Sequence, residues 1–157
     1  MIVEEYNIDI YENNPILKFS SVFENIFLED YNGKYSDIVI VCIGTDRSTG
    51  DSLGPLIGYK LKTAKHGDVK IFGTLENPVH AKNLNNTINS IFDQYKRPYV
   101  IGIDACLGSA DRVGYISIGR GPIRPGAGVN KKLPEVGDMY IKGIVNVGGF
   151  MEYLVLQ

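Results

Sequence analysis

The sequence has no tryptophan, and only two histidines and two cysteines among its 157 residues. Cys42 and Cys106 cannot make a disulfide scaffold, and so few thiols suit a reducing cytoplasm. Long hydrophobic runs are missing too. The longest, residues 38–43, falls far short of the about 20 apolar residues that a spanning helix needs. Neither sign of charge prevails: 16 basic and 18 acidic side chains leave a net charge of −2, and no lysine/arginine stripe breaks the balance. Electrostatic binding to nucleic acid or to a membrane surface therefore has no basis in the sequence. The first five residues, Met1-Ile-Val-Glu-Glu5, are acidic where a secretory leader would be basic, which predicts a cytoplasmic chain.

What is present is a globular composition, 44% hydrophobic and 22% charged, at a length that one domain accommodates. Glycine is in excess: there are 18, against an average usage of roughly 7%. Residues 1–36 read as a prefix, with an extended piece near 8–11, a helix opened by Pro15 and running to about 28, and a turn at Asn32-Gly33. Residues 37–43 are a continuous, mostly β-branched run, the pattern of a strand buried on both faces. Further strands are predicted at about 69–73, 99–103, 113–119 and 139–145. Helices are predicted at about 52–63, 80–95 and 150–156; the last has no stop signal and predicts a chain continuing past Gln157. Strands alternating with helices imply crossover units. The expected architecture is a single α/β domain over 1–157, three-layer α/β/α, with a mostly parallel sheet of five strands and a core over 37–157. The 113–118 strand follows its predecessor after only a short glycine-containing loop, which predicts that it runs antiparallel.

In open α/β sheets ligands bind at the carboxyl ends of strands. Two such ends carry unusual residues: Gly44-Thr-Asp-Arg-Ser-Thr-Gly-Asp-Ser-Leu-Gly-Pro55, and Ile103-Asp104-Ala-Cys-Leu-Gly108. The first is not a phosphate-binding loop, because its glycines are one residue too far apart and Asp51 stands where the lysine should be. Gly50-Asp51-Ser52-Leu53-Gly54 matches the Gly-x-Ser-x-Gly of a nucleophile elbow, but six residues separate it from the strand, and no histidine follows His80 to complete a triad. A dinucleotide fingerprint is absent as well. What remains is a carboxylate pair, Asp51 at a helix start and Asp104 at a strand end. Two close carboxylates share a proton, and such a pair can take a proton from water and return one to a leaving amine. The competing reading is structural: aspartate caps helices and binds loop amides.

Around these positions, the Cys42–Pro55 block and Gly73-Thr-Leu-Glu-Asn-Pro-Val-His80 resemble the YyaC family of sporulation proteins, regarded as candidate spore proteases. That family is similar to the germination protease of endospore formers and, more distantly, to the hydrogenase maturation proteases. The matching blocks are the 44–55 loop, residues 100–105, and residues 116–129 with Gly121-Pro-Ile-Arg-Pro-Gly-Ala-Gly128; together they cover about 37–150. The germination protease is an atypical aspartic protease that degrades small acid-soluble spore proteins, and its functional aspartates carry over to Asp51 and Asp104. The resemblance implies a phosphorylase/hydrolase-like fold, a mixed five-stranded sheet between helices, in a peptidase of the forespore or spore core acting on protein or peptide substrates. In the maturation proteases the same two positions and a later histidine hold a metal. No histidine follows residue 80 here, so neither metal nor cofactor is expected. The chain is too short for the germination protease's propeptide, so neither zymogen control nor its tetramer is carried over. The alternative is an inactive binding or assembly protein that keeps the protease fold.

Five further residues are candidates for gripping substrate. Asp46 and Arg47 share the Asp51 loop. His80 follows Pro78 at a predicted helix start. Gly126 and Gly128 shape a tight loop able to present amides to an oxyanion. Cys106, two residues past Asp104, invites a thiol-nucleophile reading, but nothing near it in sequence would lower its pKa. Cys42 is core.

Overall fold

The computed structural model describes residues 4–47, 49–64, 67–125 and 133–148. Its elements run β1 (Glu5–Asp9), α1 (Pro15–Asp30), β2 (Asp37–Cys42), α2 (Leu53–Thr63), β3 (Lys70–Phe72), α3 (Leu84–Gln94), β4 (Pro98–Gly108), β5 (Tyr115–Arg120) and β6 (Met139–Val147), with 3-10 turns at Thr49–Asp51 and Ala110–Arg112. The predicted helix at 150–156 lies outside the described residues.

All six strands form one mixed sheet in the order β1-β5-β6-β4-β2-β3. β3, β2, β4 and β6 are mutually parallel, and β5 runs antiparallel to β6, as its short connection predicted. The sheet has six strands where five were expected, because the prefix supplies one: β1 pairs antiparallel with β5, Ile8 opposite Ile116. A five-residue strand with one buried side chain carries too weak an alternation to be read as a sheet member.

Strand alternation sorts the core into two faces. Val39, Val41 and Val100 point to the face covered by α3 through Leu84 and Ile91. Ile101, Ile103 and Met139 point to the other, where α1 supplies Ile26, Phe23 and Phe27 and α2 supplies Ile57. α1 begins with Pro15 in its first turn. Its aromatic residues at four-residue spacing stack along one side: Phe19 on Phe23 at 6.2 Å, Phe23 on Phe27 at 5.9 Å, and Phe27 on Tyr31 at 4.9 Å. Phe27, Tyr31 and Tyr35 all meet the fully buried Tyr99 ring edge-on.

The glycine excess explains how closely α2 lies on the strands. A Cβ on Gly54 would sit 2.1 Å from the Ile43 carbonyl oxygen, and one on Gly58 would sit 1.8 Å from that of Gly73. Neither position has room for a side chain. Gly44 turns the chain out of β2 at φ +141°, and a Cβ there would lie 2.1 Å from the Asp51 carbonyl oxygen.

Candidate active site at the carboxyl edge of the sheet

The chain leaves β2 through α2 to reach β3 on one side, and leaves β3 through α3 to reach β4 on β2's other side. The strand order therefore reverses between β2 and β4, which is where open α/β sheets form a crevice beyond their carboxyl ends. Asp51 lies in the connection after β2, and Asp104 lies on β4.

β4 is longer than predicted. It runs to Gly108, so Asp104 sits inside the strand, not at its end. The reason is on its neighbours. β2 stops pairing at Cys42 opposite Ile103, while β6 continues alongside β4, with Lys142 in register with Asp104. On the β2 side Asp104 thus faces the departing 44–52 loop, and the Thr49–Asp51 turn packs against β4.

Asp51 does not cap α2, as its place at a helix start would allow. It closes the 3-10 turn; Ser52 holds the cap position and makes no capping bond through its side chain. The Asp51 carboxylate folds back over its own loop instead. Its Oδ2 accepts hydrogen bonds from the Thr45 amide at 2.9 Å and the Thr45 hydroxyl at 3.1 Å. Thr45 Oγ1 in turn accepts from the Arg47 amide at 3.4 Å.

Asp104 is 7% exposed. Burial, reinforced by the negative charge of Asp51 and opposed by a hydrogen bond from the Ala105 amide, pushes its pKa up to about 7. It therefore holds its proton to near neutrality. Lys142, its register partner, is directed to Glu5, with Nζ 3.4 Å from Oε2.

Of the other candidates, Asp46 and Arg47 are exposed on the same loop as Asp51. His80 sits in the turn before α3, which starts at Leu84, later than predicted. Its amide donates to Asn83 Oδ1 at 2.8 Å, and its Nδ1 accepts from the Lys82 amide at 3.2 Å. Val79 beside it bridges to Ile43 and accepts from the Gly44 amide at 2.8 Å, which brings the His80 backbone to the same sheet edge. Among the described residues no three or more His, Cys, Asp or Glu side chains gather as a metal-holding group. Gly126 and Gly128 lie outside the described residues. The Cys106 thiol is pushed up, by burial first and by Asp104 and Glu5 after it, with Lys142 opposing; this does not favour a nucleophilic thiolate. Cys42 is buried, as expected of core, and its thiol is raised to about 12 by burial.

Sequence reasoning passed over Thr45. The signal was faint but readable: a hydroxyl directly after the strand-ending glycine, six residues before the aspartate it orients. Lys142 was missed because register across two parallel strands cannot be read from a single sequence.

Residues 7–157 match the model of a family described as "Protein of unknown function (DUF1256)". The chain is also 62% identical over 120 residues to "Uncharacterized protein YyaC" of Bacillus subtilis (strain 168), an alignment covering 76% of this chain and 58% of that protein. The chain thus spans a little over half the length of this curated relative. Among the described residues no helix is long and apolar enough to cross a membrane.

Proposed function

Because the chain belongs to the DUF1256 family, whose description names no activity, we propose its function from the geometry: it is a peptidase in which Asp51 and Asp104 activate water. The observation that carries this reading is the placing of two differently held carboxyl groups at the topological switch point. One carboxylate, Asp51, is oriented by Thr45; the other, Asp104, keeps its proton to a pKa of about 7. A carboxyl group that keeps its proton to near neutrality suits the acid's role, and an oriented carboxylate beside it suits the base's. Asp51 accepts a proton from the attacking water. Asp104 donates its own to the substrate carbonyl oxygen; as the carbon–nitrogen bond breaks, the proton held by Asp51 passes to the leaving amine, and one hydroxyl of the tetrahedral intermediate returns its proton to Asp104 as the carbonyl re-forms. Asp46 and Arg47, exposed beside Asp51, meet the substrate chain, and His80 borders the same edge. The mixed sheet with helices on both faces agrees with the phosphorylase/hydrolase-like fold of the germination protease, and the resemblance to it supports small acid-soluble spore proteins as substrates in a sporulating cell.

The test is incubation of the purified protein with such spore proteins, followed by mass spectrometry. Cleavage should fall by orders of magnitude in Asp51→Asn and Asp104→Asn, and should decline as pH rises through about 7, where Asp104 loses its proton. Folded variants that cut as well as the parent would defeat the reading.

A second reading, a binding or assembly protein that keeps the fold without the activity, is favoured by one observation. Neither the apolar groove beside α2 nor the smaller pocket beside α3 is lined by either aspartate. Spore proteins bound but left intact would select it.

A further inference from the structure

Asp104 and Lys142 stand opposite each other on the parallel strands β4 and β6, and both side chains leave the sheet on the face to which Val100 and Tyr140 point. Paired positions on neighbouring strands lie about 5 Å apart, and an ammonium that close ordinarily draws a carboxyl group into its charged form. Here the ammonium turns the other way. Lys142 Nζ lies 3.4 Å from Glu5 Oε2 and 5.1 Å from the centre of the Tyr140 ring. The charge that acts on Asp104 is the negative one of Asp51, whereas that of Lys142 acts on the Cys106 thiol.

The register of the strands builds this arrangement. Glu5 on β1, Gly119 on β5 and Tyr140 on β6 form one row across the sheet; Asn7, Ser117, Lys142 and Asp104 form the next. A Cβ on Gly119 would lie 2.3 Å from the end of the Tyr140 ring, so only glycine lets that ring lie across β5. The Tyr140 hydroxyl thereby reaches Glu5 and donates to Oε2, the oxygen that Lys142 also meets. The short Ser117 side chain beside Lys142 leaves the lysine room to cross toward β1. Glu5 and Lys142 are each about a third exposed, so their ion pair alone is weak, and the ring contact adds to it. Joining Asp104, which is 7% exposed, would cost Lys142 more of its water than joining Glu5 does.

The geometry points to Glu5 as a positioning residue for the carboxyl pair: it holds the Lys142 ammonium away from Asp104, and the prefix strand thereby governs whether Asp104 can serve as the acid. The bearing on cleavage rests on the peptidase reading; the hold on Lys142 does not. Besides Lys142, the titratable neighbours of Asp104 are Asp51 with its exposed loop companions Asp46 and Arg47, Cys106 on the same strand, and His80 at the sheet edge. α3 adds only the exposed Asp93, and α2 packs on the opposite face.

The test follows the Asp104 carboxyl directly. In protein carrying isotope-labelled aspartate, the side-chain signal that Asp104→Asn removes belongs to Asp104, and NMR gives its titration midpoint without any substrate. The parent should titrate near 7. Glu5→Gln keeps an oxygen for the Tyr140 hydroxyl but frees Lys142, and the midpoint should fall by about one pH unit or more. Adding Lys142→Met should return it close to the parent's. A midpoint that Glu5→Gln does not move would overturn the proposal. So would a fall that persists with Lys142→Met, or a parent that titrates like an ordinary aspartate, near about 4. Far-UV circular dichroism checks that each variant is folded. Should Glu5→Gln not fold, Tyr140→Phe, which keeps the ring and releases Glu5 from the hydroxyl, should move the midpoint the same way by less; no movement there would equally defeat it. With spore proteins as substrate, the pH at which cleavage declines should fall in step in Glu5→Gln. A parent that cuts nothing would end the peptidase reading, while the titration would still decide the role of Glu5.

Discussion

Thr45 holds Asp51 by two hydrogen bonds to one oxygen: amide and hydroxyl both donate to Oδ2, at 2.9 and 3.1 Å. The amide bond depends only on the backbone turn that Gly44 begins, whereas the hydroxyl bond depends on the side chain. Thr45→Val keeps the shape and removes the hydroxyl alone. A hydrogen bond to a charged group is worth about 1.5–3 kcal/mol, and part of that orients the carboxylate. The expected outcome is a protein that still folds but cleaves roughly ten-fold more slowly, a loss of about 1.4 kcal/mol in the barrier. Thr45→Ser should restore most of the rate. Equal rates for Val and Ser variants would show that the amide suffices.

Asp104 makes stability depend on pH with a definite sign. Its pKa in the folded protein, about 7, lies above that of an ordinary aspartate, so between about pH 4 and 7 the folded state binds more protons than the unfolded one. Its contribution therefore becomes less favourable as pH rises across that window. Asp104→Asn removes the charge that burial penalises. It should raise the melting temperature at pH 8 and change it little at pH 5, where the folded parent already carries the proton. Thermal melts at the two pH values decide the matter; the same change at both would mean that Asp104 is not charged in the folded protein at pH 8.

The strands buried on both faces were readable because residues 37–43 leave no other pattern possible. The antiparallel β5 was readable because its link to β4 is too short for a crossover. β1 was not assigned to the sheet, because a short edge strand with one buried side chain owes its place to β5, 110 residues away in sequence (Asn7 accepts from the Ser117 hydroxyl at 2.6 Å). Both aspartates were singled out from the chemistry at the strand ends. The raised pKa of Asp104 was not, because it depends on how far β4 outruns β2 and how deeply that buries Asp104. The α2 glycines stood out by number, yet only packing shows what each one touches.

Gly54 tests that packing. Within the first turn of α2, alanine has the better helix propensity by about 1 kcal/mol. Against this, its Cβ would lie 2.1 Å from the backbone oxygen of Ile43, just past β2, which cannot swing aside as a side chain end would. The steric effect wins. Gly54→Ala should cost more than about 3 kcal/mol, beyond the usual range of overpacking, and read as a drop in the urea midpoint or as insoluble protein. An alanine variant as stable as the parent would mean that α2 stands farther from the sheet.

Arg120 joins four elements away from the site. Its guanidinium donates to Asp30 at 2.8 Å, Glu29 at 2.7 Å and Glu4, while Asp30 also accepts from the Tyr99 hydroxyl at 2.9 Å. α1, β4, β5 and the entry to β1 are thereby tied at one corner. The group is about a third exposed, so solvent screens it, and the network is worth less than its bond count suggests. Arg120→Met should cost about 1–2 kcal/mol in low salt and less in high salt, with cleavage unaffected. A loss that salt does not diminish would assign the effect to packing of the side chain's stem.

The proposed aspartate pair makes its sharpest prediction in combination. If Asp51 and Asp104 act on one water, removing either disables the whole step, and removing both has little left to remove. Asn keeps the outline of each side chain, so folding is not the variable. The double variant, Asp51→Asn with Asp104→Asn, should cleave within a few-fold of the slower single variant, and the two single losses should not multiply. Multiplying losses would mean two independent contributions, for example one residue binding substrate while the other handles protons. Measured kcat/KM for the parent, the two single variants and the double variant closes the cycle, and a coupling energy close to zero would be incompatible with a shared step.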